Sequence, residues 1–267
     1  MVRDGDAIRL AIEVGNGPDA CSVAVIRRDG GSPGLFWLGG FASNMAGTKA
    51  SALDAFAAAR GLAMTRFDYS GHGSSGGRLE DGTISRWLDE ATLVFQATAR
   101  GPQILVGSSM GGWLALLLAE RLRAARADQV SPIVGMVLIA PAIDMTRDLM
   151  EARLTRAQRA QLGTTRRIEI ADDAGRKTTI TQELLEDGTR HLFGERLIEP
   201  GCPVHIIQGA ADLEVPWRHA AKLASRIPAD DVVFTLIKDG DHRLCRPQDI
   251  ERILAAVEAL LKDVSAE

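Results

Sequence analysis

The stretch "QILVGSSMGGWLALLLAE", residues 103–120, places a run of strand-forming residues directly before a helix-forming run. At the junction, Ser109 has Gly107 two positions before it and Gly111 two positions after it. Ser108 has valine and methionine at the same two positions and does not fit this pattern. A serine with glycines at this spacing is typical of a sharp strand-to-helix turn, the nucleophile elbow, where side chains on either side would collide with neighbouring backbone.

This turn is predicted to raise the Ser109 hydroxyl above the edge of a sheet. The helix that begins there directs its free N–H groups and the positive end of its dipole at the same point, which suits a developing oxyanion. Ser109 is therefore the predicted nucleophile, and it requires a histidine base and a carboxylate that orients the base.

Strand-like and helix-like segments alternate along most of the chain. Apolar, strand-like segments are "IRLAIEVG", "CSVAVIRR", "GLFWLGG", "AMTRFDYS", "PQILVG", "PIVGMVLIAP", "PVHIIQG" and "DVVFTLIKD". Helical patterns follow most of them, up to "PQDIERILAAVEALLKDV" at the end. The alternation predicts an α/β fold with a mostly parallel sheet of about eight strands, flanked by helices on both faces and beginning with an antiparallel pair.

Residues 144–200 interrupt this alternation and are longer than a connection between two core strands requires. Helical segments are predicted around 145–162 and 181–192, with a small hairpin in "RRIEIADDAGRKTTIT" between them. The predicted organisation is a core of residues 1–143 and 201–267 and a cap of residues 144–200 over the carboxyl edge of the sheet, where ligands bind in open α/β folds.

The chain order of an elbow serine, an acid and a histidine narrows the choice of catalytic partners. His242 lies in the loop "KDGDHRLC" after the last predicted strand, where a base can reach the elbow, and Asp212 lies in the loop after "HIIQG". We predict a triad of Ser109, Asp212 and His242. Glu214 is expected to face elsewhere and Asp241 to be a solvated loop acid.

The other four histidines receive non-catalytic interpretations. His205 is interpreted as a packing residue, His219 as a surface residue and His72 as a structural residue in a turn, whereas His191 lies before the predicted acid. For the oxyanion, one donor is predicted to be the N–H of Met110, which follows the nucleophile, and the other the N–H of Phe41, which follows Gly39-Gly40. Each such donor lowers the barrier by about 3 kcal/mol.

Bulk properties exclude several other classes of protein. The net charge of −4 gives no basic footprint for nucleic acid, and no apolar stretch is long enough to span a bilayer. Three cysteines without metal-ligand spacing, and an N-terminus without signal or transit pattern, predict a cytoplasmic protein. The glycine-rich "DYSGHGSSGG" lacks phosphate-binding spacing and is interpreted as a turn that braces the elbow. Neither a metal nor another cofactor is expected. Nothing in the sequence indicates an oligomeric state.

Together these residues resemble the α/β-hydrolase superfamily. The segments "GGFASNMAGTKA", "RFDYSGHGSSGG", "GPQILVGSSMGGWLALL", "GAADLEVPW" and "DHR" are similar to the mitochondrial mycophenolic acid acyl-glucuronide esterase and palmitoyl-protein thioesterase family. The resemblance implies a serine hydrolase of small-molecule acyl esters and thioesters and places the triad on Ser109, Asp212 and His242 by matching motifs. It covers about residues 35–245 but not the cap, and this chain shows no transit peptide.

Two alternatives to an esterase or thioesterase remain open. One is a non-catalytic small-molecule receptor or scaffold that retains the fold, and the other is a peptidase of the prolyl type. Within the esterase hypothesis, arginines of the cap would admit an anionic leaving group such as glucuronate; they are Arg153, Arg156, Arg159, Arg166 and Arg167. Because positive and negative charges nearly cancel in this segment, a solvated outer face is the simpler interpretation.

Overall fold

A computed structural model describes residues 7–15, 20–125, 131–171, 175, 177–228 and 232–266 of the chain. The described residues form ten strands: β1 (Ala7–Val14), β2 (Cys21–Arg28), β3 (Gly31–Leu38), β4 (Leu62–Phe67), β5 (Gln103–Ser108), β6 (Ile133–Ile139), β7 (Arg167–Ala171), β8 (Lys177–Thr181), β9 (Val204–Gly209) and β10 (Val232–Ile237). They also form seven α-helices: α1 (Thr48–Arg60), α2 (Ile84–Thr98), α3 (Met110–Ala124), α4 (Arg156–Thr165), α5 (Gln182–Gly188), α6 (Trp217–Ser225) and α7 (Pro247–Ala266).

Eight strands form one sheet in the order β1-β2-β4-β3-β5-β6-β9-β10. The β1–β2 and β2–β4 pairs are antiparallel, and all the other pairs are parallel. The predicted mostly parallel sheet with an antiparallel start is therefore confirmed. The strand order reverses direction next to β3 and β5, so the loops after these strands meet at the carboxyl edge, where an α/β sheet opens a crevice for ligands.

Helices cover both faces of this sheet, as the alternation predicted. On one face, α2, α3 and α6 bury a large apolar cluster around Trp87 and Trp113. On the other face, α1 and α7 bury a second cluster around Leu53 and Val257. The central strand β5 is buried along its whole length, which explains why its sequence is apolar at successive positions rather than at alternate ones.

The segment 144–200 has a small apolar cluster of its own, whereas other residues of the segment, such as Leu149 and Phe193, join the large cluster of the core. Strands β7 and β8 pair as the predicted antiparallel hairpin, whose turn residues 172–174 lie outside the described residues. The predicted helical segment around 145–162 is divided, because Leu154 is extended and the Thr155–Gln158 capping box starts α4 as a new helix. The apolar cluster consists of Leu154, Leu162, Ile168, Ile180 and Leu185.

Two buried carboxylates hold this segment in place. The Asp187 carboxylate accepts hydrogen bonds from the N–H (2.8 Å) and the hydroxyl (2.7 Å) of Ser85 at the start of α2. The Asp144 carboxylate accepts from the N–H groups of Phe193 (2.7 Å) and Gly194 (2.9 Å). The Asp187 contact therefore ties the segment to α2, and the Asp144 contacts join the two ends of the segment to each other. The role of the segment as a cap stays a prediction.

A buried charge network supports the layer between α1 and the sheet. The Asp54 carboxylate on α1 accepts from Arg28 Nε at 3.1 Å and from an Arg66 guanidinium nitrogen at 3.2 Å. The same Arg66 guanidinium also donates to the carbonyl of Met45 at 3.0 Å. All three charged side chains are buried, so removal of the carboxylate would leave the two guanidinium groups undercompensated in a poorly solvated environment.

We expect Asp54→Ala to lower the free energy of unfolding by about 3 kcal/mol in urea denaturation, because it breaks a buried ion network from one side. Asp29→Ala is the matched control, since Asp29 forms an exposed pair with Arg27 and should cost less than about 1 kcal/mol. Equal losses in the two variants would show that the network does not stabilise this layer.

Candidate active site

Ser109 occupies a strained turn between β5 and α3. Its φ of 55° and ψ of −118° lie outside the backbone regions that residues other than glycine favour. Three backbone hydrogen bonds hold this conformation: the Ser109 N–H donates to Ile139 O (2.9 Å), and the Ser109 carbonyl accepts from Gly112 (2.9 Å) and Ala142 (3.1 Å). The sharp strand-to-helix turn predicted from the sequence is present.

Close approach of backbone segments explains the glycines around Ser109. A Cβ at position 111 would lie 2.0 Å from the carbonyl oxygen of Leu38 at the end of β3. A Cβ at position 107 would lie 2.4 Å from the Gly111 carbonyl oxygen. Gly40, in the loop after β3, is also close: its Cβ would lie 3.3 Å from the Cβ of Ser109. The start of α3 is therefore pressed against the loop that follows β3.

The structure brings Ser109, Asp212 and His242 together from three distant parts of the chain. His242 Nε2 lies 3.1 Å from Ser109 Oγ, and His242 Nδ1 lies 2.8 Å from Asp212 Oδ2. Asp212 is 4% exposed, whereas the imidazole stays partly open to solvent. The geometry is that of a serine whose hydroxyl proton can pass to an imidazole held by a carboxylate.

The buried Asp212 carboxylate accepts four hydrogen bonds. Its Oδ1 accepts from the N–H groups of Glu214 (2.9 Å) and Val215 (2.7 Å), and its Oδ2 accepts from His242 and from Gln208 Nε2 (3.0 Å). Gln208 was not predicted from the sequence as a site residue. A glutamine inside the apolar strand β9 is nevertheless a buried polar residue that needs a hydrogen-bond partner. These bonds hold the Asp212 carboxylate in one orientation beneath the imidazole.

Glu214 does not face away from the site, and that expectation was wrong. Its Oε2 lies 3.5 Å from His242 Nε2, the nitrogen that also contacts Ser109. The chain turns inward after Asp212 to direct two N–H groups at its carboxylate, and this turn carries the Glu214 side chain back across the imidazole. Glu214 remains 44% exposed, so it forms a charged rim beside the histidine.

The two predicted oxyanion donors lie at the same junction. Met110 is the first residue of α3, and Phe41 directly follows Gly40, which contacts Ser109. Among the residues that the structure describes, the N–H groups of Met110 and Phe41 have no hydrogen-bond acceptor. Both are therefore free to bind an oxygen that carries negative charge.

The glycine-rich loop after β4 braces the loop after β3, rather than the elbow itself. His72 Nε2 accepts a hydrogen bond from the N–H of Ala42 (3.1 Å), and His72 Nδ1 lies 3.0 Å from the Ser70 carbonyl. Asp68 accepts from the N–H groups of Met45 (2.6 Å) and Ser74 (2.8 Å). The structural role predicted for His72 therefore takes the form of a contact with the loop that contains Phe41.

The remaining three histidines lie outside the contacts of Ser109. His219 is not a free surface residue, because it is half-buried and its Nε2 donates to the Ile143 carbonyl at 2.8 Å. His191 contacts the Ser85 hydroxyl at 2.7 Å, where the 144–200 segment joins α2. His205 is half-buried within β9. Burial lowers the pKa of all three imidazoles.

The described residues show neither a metal-binding cluster nor a helix that could span a membrane. Over the described ranges, no group of three or more His, Cys, Asp or Glu side chains is arranged to hold a metal ion. None of the helices in the described part of the chain combines the length and apolarity needed to cross a membrane.

A family model and several known proteins match most of the chain. The family model described as "Serine aminopeptidase, S33" matches residues 38–249. The bovine palmitoyl-protein thioesterase ABHD10, mitochondrial, is 33% identical over 256 residues, which cover 93% of this chain and 79% of that protein.

Two solved structures are similar over nearly the whole chain. A protein from Agrobacterium vitis S4 superposes with a TM-score of 0.92 at 49% identity, covering 95% of this chain and 98% of that one. Mouse α/β-hydrolase domain-containing protein 10 superposes with a TM-score of 0.82 at 30% identity, covering 96% and 99%. The resemblance noted in the sequence is confirmed.

We expect Gly111→Ala to destabilise the protein by about 3 kcal/mol or more, because the new Cβ meets backbone, which cannot rotate away. Gly163→Ala is the matched control: it lies within α4 with no atom within 4 Å of the added Cβ, and alanine should stabilise that helix by about 1 kcal/mol. Thermal unfolding of both variants gives the comparison, and a neutral Gly111→Ala would contradict the close approach to Leu38.

Proposed function

The chain belongs to the serine aminopeptidase S33 family of α/β-hydrolases, and on this premise we propose that it hydrolyses acyl thioesters and carboxylic esters through an acyl-enzyme on Ser109. The hydrogen-bonded chain from Ser109 through His242 to Asp212 carries the proposal. Relatives that are thioesterases support the type of bond that is cleaved.

In the first step, Ser109 Oγ attacks the acyl carbonyl while His242 Nε2 takes the hydroxyl proton. The 3.1 Å contact between these atoms is within hydrogen-bond reach and needs only a small adjustment when substrate binds. Asp212 holds the imidazole so that Nδ1 keeps its proton, and it stabilises the imidazolium as that charge forms.

The tetrahedral intermediate places negative charge on the former carbonyl oxygen. The N–H groups of Phe41 and Met110 bind this oxygen, and the positive end of the α3 dipole adds to the field. Both donors are backbone groups held by the packing of α3 against the loop after β3, so they need little reorganisation during the reaction.

Collapse of the intermediate expels the alcohol or thiol, which receives the proton from His242 Nε2. Water then occupies the position of the leaving group and gives a proton to the same nitrogen as it attacks the acyl-enzyme. The second tetrahedral intermediate releases the carboxylic acid and restores Ser109. Apart from the attacking water, every group that acts on the substrate in this scheme belongs to the polypeptide.

The leaving group must pass beside Glu214, which lies 3.5 Å from the nitrogen that protonates it. A negative charge close to the scissile bond is therefore disfavoured. The five arginines considered for recognition of glucuronate are all exposed, and several of them contact carboxylates, such as Arg166 with Glu186 at 3.2 Å. We infer that neutral leaving groups are preferred over glucuronate.

A peptidase is the second candidate, because the family description names a serine aminopeptidase. Such an enzyme would bind the free amine of a substrate, and Glu214 is an exposed carboxylate at the site. Aminoacyl and prolyl p-nitroanilides distinguish the two functions, since a thioesterase should cleave them far more slowly than p-nitrophenyl and thioester substrates. The cytoplasmic location predicted from the sequence stays a proposal.

We expect rapid, stoichiometric labelling of Ser109 by a fluorophosphonate probe, and hydrolysis of p-nitrophenyl esters and acyl-CoA thioesters. Ser109→Ala should abolish labelling, and kcat should fall about 10³-fold or more in Asp212→Asn because the imidazole loses its orientation. Ser108→Ala is the matched control and should keep most of the activity. An unlabelled wild-type protein would favour the receptor or scaffold alternative.

We expect Glu214→Gln to raise kcat/KM for an acyl glucuronide, relative to the uncharged acyl glucoside, by about fivefold, because it removes a negative charge next to the leaving group. Arg159→Gln, on the exposed surface of the 144–200 segment, should leave the ratio unchanged. A fall of the ratio in Arg159→Gln would instead assign recognition of the glucuronate to the cap arginines.

A further inference from the structure

The loop that contains Phe41 adopts a tight and strained turn. The Gly40 carbonyl accepts hydrogen bonds from the N–H (3.2 Å) and the hydroxyl (2.8 Å) of Ser43, which closes a four-residue turn. Its third residue, Ala42, has a φ of 55°, in the left-handed region that favours glycine. Because alanine does not favour this conformation, contacts from elsewhere must hold it.

His72 provides such a contact with a defined tautomer. The Ser70 carbonyl can only accept, so the proton of the neutral imidazole lies on Nδ1, 3.0 Å away. Nε2 therefore carries a free lone pair, and it accepts the Ala42 N–H at 3.1 Å. Burial lowers the pKa of His72, although the Ser70 carbonyl and Asp68 oppose this shift, so the ring is neutral near pH 7.

The anchor of His72 is itself fixed to a helix. The Ser70 N–H donates to Glu90 Oε2 at 2.8 Å, and the Ser70 carbonyl accepts from Trp87 Nε1 at 3.2 Å. Glu90 and Trp87 both lie on α2 and are fully buried. A continuous path of hydrogen bonds thus runs from α2 through Ser70 and His72 to the loop after β3.

We propose that His72 is a positioning residue for hydrolysis: by accepting the Ala42 N–H, it holds the adjacent Phe41 N–H in place as an oxyanion donor. This inference rests on the proposed function, because it assigns a second role within the same site. His72 does not touch the substrate in this scheme. Loss of this contact should therefore raise the barrier to formation of the oxyanion more than it weakens binding of the substrate.

Two substitutions separate positioning from packing. His72→Phe keeps an aromatic ring among Tyr69 and Trp87 but removes the acceptor, whereas His72→Gln places an amide oxygen where Nε2 was. With a p-nitrophenyl ester, we expect His72→Phe to lower kcat about 30-fold with KM changed less than threefold. His72→Gln should keep at least a third of kcat.

The rate of fluorophosphonate labelling should fall in His72→Phe by a factor similar to that of kcat, since the phosphonyl oxygen uses the same donors. Tm is measured for both variants. A His72→Phe enzyme with kcat within twofold of wild type would overturn the proposal. The proposal would also be overturned if His72→Gln lost as much kcat and as much Tm as His72→Phe.

A second measurement does not depend on activity. Nitrogen NMR of the wild-type protein should show His72 as the neutral Nδ1–H tautomer, with the Ala42 amide protected from exchange and less protected in His72→Phe. An Nε2–H tautomer would overturn the positioning role while leaving the proposed function intact. Absence of labelling and of hydrolysis in a wild-type protein with the expected His72 signals would overturn the proposed function instead.

Discussion

The first turn of α3 lies so close to the end of β3 that no side chain fits between them. The Leu38 carbonyl occupies the space that a Cβ of residue 111 would need, and the Gly111 carbonyl does the same for residue 107. This approach fixes where the helix begins, and with it the position of its first free N–H group. It also holds Ser109 in a strained conformation, and hydrogen bonds to Ile139 at the end of the adjacent strand β6 and to Ala142 just after it maintain that conformation.

A second constraint is the burial of a charged carboxylate below the imidazole. Removing Asp212 from water is unfavourable unless its oxygens are hydrogen-bonded, and four donors satisfy them. Two of these donors are consecutive backbone N–H groups, which requires the chain to curl around the carboxylate. The same curl brings Glu214 to within 3.5 Å of His242 Nε2, so the position of this carboxylate follows from how the buried Asp212 carboxylate is hydrogen-bonded.

The sequence predicted what depends on local pattern. The buried strands, the helices between them and the elbow at Ser109 all follow from the spacing of apolar residues and glycines. Chain order and loop position predicted Asp212 and His242, which the structure places in contact with each other and with Ser109. It did not predict Gln208 or the direction of Glu214, because both depend on contacts made only after distant segments meet. The division of the 145–162 segment was missed for a different reason: a capping box at Thr155 overrides a helical pattern that continues through it.

The glycine-rich loop after β4 shows that a high glycine content is not by itself a sign of a phosphate-binding loop. A Cβ at Gly73 would lie 2.0 Å from Asp68 Oδ2, so glycine is present there to let backbone approach a carboxylate of the protein rather than a phosphate. That carboxylate holds Met45 and Ser74, while His72 holds Ala42, so the loops after β3 and β4 are tied together at several points. The wall of the site that these two loops form is therefore held by several hydrogen bonds. The segment that follows β6 takes no part in these bonds and has a small apolar cluster of its own, so its sequence can vary while this wall of the site stays the same.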